Sequence, residues 1–415
     1  MMKVERNQKQ LLAAYSNELN AELTNILNYW IDNAQDLVEG GFFGRISNDN
    51  RVIPGSPKGS VLNARILWSF SAAHNFNGKI EYLAMADRAY QYIIEHIIDK
   101  THGGVYWSVD HAGNKLDTKK QVYANAFTIY ALSEYYKASK KQEALDMAVG
   151  LFRLLVDKSY DWSSTGYFEA FTEDWQPIDD LRLSEKDANE KKTMNTHLHV
   201  IEAYTNLYRV WPDKTLRSHI ILLLNNFTDH FIDEKKGHLN LFFDENWNKR
   251  STLVSYGHDI EAAWLLQDAA EIINDAASIE KLKACAIKIS DAAVEGLDGD
   301  GGLWYEYEPA AGHLVKEKHW WVQAEAMVGF FHTWRVTGDN RYLELSVGNW
   351  DFVKNNIIDK RNGEWLWGVY EDGRPMTAED KAGMWKCPYH NSRACIEIIN
   401  RITSQIPLVS AEKTF

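Results

Sequence analysis

The 415 residues carry 58 acidic side chains against 45 basic ones, a formal net charge of −13 that argues against nucleic acid or an anionic membrane as the main partner. No run of about eighteen apolar residues occurs, and Met1-Met2-Lys3-Val4-Glu5-Arg6 leads into an amphipathic pattern, so a cytoplasmic protein without signal peptide or membrane anchor is expected. Three cysteines, Cys285, Cys387 and Cys395, are too few and too scattered for a disulfide framework or a zinc site.

Apolar residues spaced by three and four predict a first helix over 11–30, followed by Gly41-Phe42-Phe43 and the turn residues Asn48-Asp49. The same order then recurs. Helices over 61–73 and 82–97 lead to Gly104-Val105-Tyr106-Trp107, those over 122–135 and 144–156 to Gly166-Tyr167-Phe168, and those over 194–210 and 216–231 to Gly237-His238-Leu239-Asn240 and Phe242-Phe243. Helices over 259–270 and 279–294 lead to Gly302-Leu303-Trp304-Tyr305, those over 321–334 and 342–353 to Gly363-Glu364-Trp365-Leu366-Trp367, and a last helix covers 389–402. The six glycines are spaced by 63, 62, 71, 65 and 61 residues, the length of two helices and a short antiparallel hairpin. Pro212 and Gly338-Asp339 punctuate the helices as expected. Twelve helices in six units imply one all-α domain over residues 1–415, a closed ring with a pocket on its axis. The longest irregular stretch, 175–192, is charged, and loops of this length in a compact domain are usually functional.

Aromatics make up 13% of the chain, and several stand in the polar hairpins and loops: Trp107, Trp175, Trp247, Trp304, Trp365 and Trp385. Flat apolar faces with polar edges suit a pyranose ring, so carbohydrate stacking is expected over core packing for this set. Every second helix follows a hairpin and opens with polar residues, as the inner members of a double ring would. Their first turns supply Asn63 and Arg65, Tyr123 and Asn125, Asn195, His197 and His199, His258, Asp259 and Glu261, Trp321, Gln323 and Glu325, and Tyr389, His390 and Asn391.

Imidazole can take and return a proton near neutral pH. Of fourteen histidines, His199, His258 and His390 stand out because they fall at corresponding places in three repeats. The four-residue step from Asn195 to His199 puts both on one helix face and turns His197 away. His258 and Glu261, three apart, also share a face, so Glu261 is expected to orient His258. A metal held by that pair is the competing reading, and it needs ligands from other repeats.

The strings Thr193-Met194-Asn195-Thr196-His197-Leu198-His199, Ser255-Tyr256-Gly257-His258-Asp259-Ile260-Glu261 and Trp385-Lys386-Cys387-Pro388-Tyr389-His390-Asn391 resemble those of cellobiose 2-epimerases, within the N-acylglucosamine 2-epimerase superfamily. The resemblance extends over essentially the whole chain. It implies an (α/α)6 barrel that interconverts cellobiose with glucosylmannose, and lactose with epilactose, at C2 of the reducing-end sugar, without metal or nucleotide. It also implies catalytic roles for His199, His258 and His390, and substrate contacts from Arg65, Tyr123, Asp187, Asn195, Trp247, Glu261, Trp321 and Trp385.

Inverting C2 of an aldose requires opening the hemiacetal, removing the proton alpha to the aldehyde, and returning one to the other face of a planar enediolate. His258 and His390 are assigned to that exchange and His199 to ring opening or to holding the reducing-end oxygens. Arg65 would stabilise the oxyanion, and Trp385 and Trp321 would stack on the sugars. Because the aldehyde already acidifies C2, the chemistry needs no cofactor. The alternatives are a mannose-type aldose–ketose isomerase or an N-acylglucosamine 2-epimerase on the same fold, a glycoside hydrolase using carboxylates such as Asp187, Asp259, Glu261 and Glu325, and a non-catalytic sugar-binding protein.

Overall fold

The computed structural model describes residues 2–405. Its helices are α1 (Met2–Asn33), α2 (Ser60–Asn77), α3 (Ile80–Tyr92), α4 (Val122–Ser139), α5 (Gln142–Lys158), α6 (Met194–Val210), α7 (Lys214–Asn226), α8 (Tyr256–Ile272), α9 (Ala276–Ala293), α10 (Trp320–Thr337), α11 (Asn340–Phe352) and α12 (Tyr389–Gln405). The even-numbered helices pack side by side in chain order, and α12 returns to α2 to close the inner ring. Outside them, α3 lies on α2, α5 on α4, α7 on α6, α9 on α8, α11 on α10, and α1 on α12. This is an (α/α)6 barrel.

The two rings differ because their sequences differ. The segments 60–73 of α2 and 122–135 of α4 are buried at every position, since an inner helix meets neighbours, the outer ring and the pocket. On α5, burial is confined to Ala144, Leu145, Ala148, Val149, Leu151, Phe152 and Leu155, one apolar stripe facing inward. Helices α3, α7 and α11 each end in a π turn, Ile93–Ile97, Phe227–Phe231 and Val353–Ile357, across which the apolar periodicity continues. No described helix is long and apolar enough to cross a membrane.

The strands depart from the simple hairpins expected. Regular pairing runs mainly between neighbouring repeats: Lys58–Gly59 with Ser108–Val109, Lys120–Gln121 with Ala170–Phe171, Lys192–Thr193 with Phe242–Phe243, Val254–Ser255 with Glu306–Glu308, and Glu317–His319 with Gly368–Tyr370. Each strand that leads into an inner helix is thus tied to the hairpin of the next repeat, which fixes the rim where the pocket opens. Several hairpins close on single bridges, such as Phe171 with Pro177 and Phe243 with Lys249.

Beneath this rim runs a repeated ion pair. Lys58 meets Asp36 at 2.8 Å, Lys120 meets Asp99, Lys192 meets Asp161 and Lys381 meets Asp359 at 2.7 Å each, and Lys318 meets Asp298 at 2.6 Å. In the fourth repeat the strand residue is Val254, and Asp233 accepts from the backbone N–H groups of Lys235 and Lys236. Removing one member of a buried pair strands the other charge. Lys192→Met is therefore expected to lower stability by about 3–5 kcal/mol. Thermal unfolding measures this, and an unchanged melting temperature would contradict it.

Candidate active site

The polar first turns of the inner helices divide into two sets. One set holds the hairpins. The backbone N–H of Val105 donates to Asn125 Oδ1 at 3.1 Å, Tyr167 to His197 Nε2 at 2.9 Å, Leu239 to Asp259 Oδ1 at 2.8 Å, and Leu303 to Gln323 Oε1 at 2.8 Å. His197 is fully buried and faces away from His199, as the helix-face argument requires. The donor segment follows a glycine for a steric reason: Gly166 lies at φ +82°, and a Cβ there would come within 2.6 Å of Trp247 and 2.8 Å of His197.

Two residues further along each inner helix stand Arg65, Phe127, His199, Glu261, Glu325 and Arg393, one from every repeat. One residue before the hairpin-holding position stand His258 and His390. His258 and His390 are therefore true counterparts, whereas His199 belongs to the other layer; the expected threefold correspondence is corrected accordingly.

The pocket side chains are held by specific partners. His199 Nδ1 lies 2.8 Å from Glu202 Oε2, and His390 Nδ1 lies 2.7 Å from Glu325 Oε1. His258 Nδ1 faces Ser255 Oγ at 2.8 Å, while Glu261 bonds Arg393 at 2.6 Å. Glu261 therefore does not orient His258, because Arg393 occupies its reach; Ser255, the last residue of the strand that leads into α8, does. The ring centre of Trp321 lies 4.9 Å from that of His258 and 5.8 Å from that of His390, so both imidazoles border the same indole. Burial lowers the His258 pKa to about 3 and that of His390 well below the usual range, with Arg65 and Arg393 adding to the push on His390. Burial lowers His199 as well. In all three, burial favours the neutral, base-competent imidazole.

Arg65 is 3% exposed, yet no carboxylate lies within ion-pair distance of it among the described residues. Its guanidinium donates to Tyr123 Oη at 2.8 Å and to the Trp385 carbonyl at 3.4 Å, and rests 4.2 Å from the centre of Phe127. A buried cation left in this way suits an anionic partner supplied by a ligand. Trp385 lies 6.0 Å from Tyr123 and 5.8 Å from Trp107, and the Asn195 Oδ1 is buried without a partner. Asp187 sits in the 175–192 loop, where it accepts from Ser184, close enough to Glu306 to help burial raise that carboxyl to about 7.

Trp247 is not brought to this cluster. It occupies a left-handed turn position (φ +64°), stacks on His230 at 4.3 Å, and donates its indole N–H to the Ser164 carbonyl. Trp175 fills the matching turn of the preceding hairpin, with φ +65° and a bond to the His102 carbonyl. Trp365 is fully buried and bonds Glu22, and Trp304 lies under Lys318, so packing explains these four. Trp247→Ala is expected to lower stability by about 3 kcal/mol and to leave substrate preference little changed. Calorimetry with kcat/KM ratios checks this, and a selective loss on longer substrates at unchanged stability would restore a sugar contact.

Sequence reasoning missed Glu202 and Arg393. Arg393 is completely buried and bonds Glu202, Glu261 and Glu325, joining the carboxylates behind His199 and His390. The one available signal was spacing, with Glu202 three residues after His199 and Arg393 three after His390. Ligand atoms of Glu261, Glu325 and His390 lie within 4.8 Å of one another, as a metal would need, but Arg393 Nη2 already bonds both carboxylates and supplies the balancing cation. Asp259, another carboxylate of the hydrolase reading, is turned away to His238 at 2.7 Å.

The first turns of the inner ring thus gather three histidines, an arginine with no carboxylate partner among the described residues, and the indoles of Trp321 and Trp385. The chain belongs to the N-acylglucosamine 2-epimerase family, whose model matches residues 41–394. It is 49% identical to a cellobiose 2-epimerase of Bacteroides fragilis, covering 92% of this chain and 98% of that protein. The structure of the cellobiose 2-epimerase from Bacillus thermoamylovorans superposes with a TM-score of 0.90 at 41% identity, covering 94% of this chain and 100% of the other. A D-mannose isomerase of Marinomonas mediterranea is more distant, at 23% identity over 88% of this chain and 92% of its own.

Proposed function

We propose that this protein epimerises C2 of the reducing-end sugar in β-1,4-linked disaccharides, interconverting cellobiose with glucosylmannose and lactose with epilactose. The observation that carries this reading is the placement of His258 and His390 beside the same indole, with ring centres 4.9 and 5.8 Å from Trp321. An indole there would support the pyranose plane, with an imidazole available to either face of C2. One histidine takes the C2 proton, the electron pair moves into the C1–C2 bond, and the carbonyl oxygen becomes an oxyanion near Arg65. The other histidine enters the step as an imidazolium, having taken its proton from solvent before the substrate closes the site, and delivers that proton to the opposite face, so that the two exchange protonation states over one turnover. The enediolate charge favours the imidazolium that burial disfavours in the empty pocket, and Glu325 at Nδ1 supports it on His390. His199, backed by Glu202, is placed to move the hydroxyl proton during ring opening.

The reading takes residues 1–415 as one cytoplasmic catalytic domain, with the disaccharide as its partner and no metal or nucleotide. It is tested by steady-state kinetics on cellobiose, lactose, glucose, mannose and N-acetylglucosamine after exhaustive dialysis against EDTA. Binding energy from the remote sugar helps position C2, so disaccharides should show the higher kcat/KM, with turnover undiminished by chelation. Preference for a monosaccharide would move the assignment to a mannose isomerase or an N-acylglucosamine 2-epimerase. Activity lost on chelation and restored by a divalent ion would overturn the metal-free mechanism.

A further inference from the structure

Three carboxylates converge on the single guanidinium of Arg393, and their hydrogen bonds are unequal. Glu202 accepts from His199 on Oε2 and from Tyr389 and Arg393 on Oε1. Glu325 accepts from His390 and Arg393 on Oε1 and from the Trp264 indole on Oε2 at 3.2 Å. Glu261 accepts once, from Arg393 on Oε1, and its Oε2 is buried with no partner in the protein. An ionised, unpaired carboxylate oxygen in such a site carries a large desolvation cost, whereas a protonated one becomes a donor seeking an acceptor.

We infer that Glu261 is held as a neutral carboxylic acid whose Oε2–H donates a hydrogen bond to the substrate oxygen on which negative charge develops. This rests on the proposed epimerisation and assigns a second donor, beside Arg65, to the same oxyanion. Glu261 shares the pocket with Arg65 on α2 and Tyr123 on α4, close enough to influence the ionisation of both. A carboxylate there would repel the enediolate, while a carboxylic acid stabilises it, a use of a neutral acid known in proton-abstraction chemistry. The groups nearest Glu261 are Arg393, Glu325 and His390, with Glu202, Arg65, Tyr123 and Tyr389 close enough to act on its charge. Burial first, and then the charge of Glu325, push its carboxyl upward, overcoming Arg393. By contrast, Arg393 and the His199 bond overcome burial at Glu202 and hold that carboxyl at about 2. No proton leaves Glu261 in this role: C2–H breaks to an imidazole, O1 gains the charge, and Oε2–H bonds to it.

The test compares Glu261→Gln, which keeps a neutral donor of nearly the same shape, with Glu261→Ala and the wild type. C2 deuterium exchange on cellobiose should persist in E261Q within about tenfold of wild type and fall by about 10²–10³ in E261A. Infrared difference spectra of wild type minus E261Q at neutral pH, without substrate, should show the C=O stretch of one protonated carboxyl. An E261Q enzyme impaired by a hundredfold or more, or the absence of that band, overturns the inference. E261Q is judged against the wild type, so the test holds even if E261A does not fold. Failure of the wild type to exchange deuterium would instead count against the epimerase reading, and the infrared band would still decide the protonation of Glu261.

Discussion

Replacing either His258 or His390 by alanine is expected to lower turnover by at least about a hundredfold while leaving the fold intact, because each supplies proton transfer to one face of C2. The structure favours a clean result. His258 contacts Ser255 through Nδ1 and has no carboxylate of its own, so its removal strands no charge. His390 leaves Glu325 still bonded by Arg393 and Trp264. His197→Ala should behave differently: its Nε2 accepts from the buried Tyr167 N–H, so the variant should lose stability, with the chemistry less affected. The pH profile adds a signed test. A base with a lowered pKa stays unprotonated, and so competent, further into acid; burial lowers His258 from 6.5 to about 3, so the acid limb of kcat/KM should lie below pH 6.5. A variant of His258 or His390 that keeps more than about a tenth of wild-type turnover would contradict the two-base assignment.

The second large effect is expected at Arg65. Arg65→Met should lower kcat by about 10²–10³, the usual cost of removing a preorganised oxyanion partner. The methionine can occupy the space against Phe127 and Tyr389, and no buried acid is left unpaired by the change. Melting temperature should therefore shift little. A variant with wild-type kcat and only a raised KM would show that Arg65 binds ground state and transition state alike.

The period of the barrel was legible because it is written in local chemistry. Glycine must precede the strand held by the next inner helix, as Gly166 shows against His197 and Trp247, and so the glycine–aromatic signal repeats. The inner helices could be told from the outer ones by polar residues in their first turns. The division of those residues into two layers could not, since it depends on which side chain reaches a hairpin N–H and which faces the axis. His199 was accordingly grouped with His258 and His390. Glu202, Arg393 and the bond from Ser255 to His258 were hidden for a related reason: a buried ion cluster across α6, α8, α10 and α12 leaves no mark beyond three-residue steps. Trp175 and Trp247 occupy left-handed turn positions in polar sequence, which reads as exposure, yet their indoles lie against Gly104 and Gly166 of the preceding hairpins.

Proton exchange at C2 of a disaccharide is visible directly in proton NMR of the purified protein with cellobiose in D2O. Deuterium should enter C2 of the reducing-end residue as new mannose-type anomeric signals appear, and neither change should occur with the His258→Ala protein. Retention of the C2 proton with no new anomeric signals, or release of free glucose, would contradict exchange at C2.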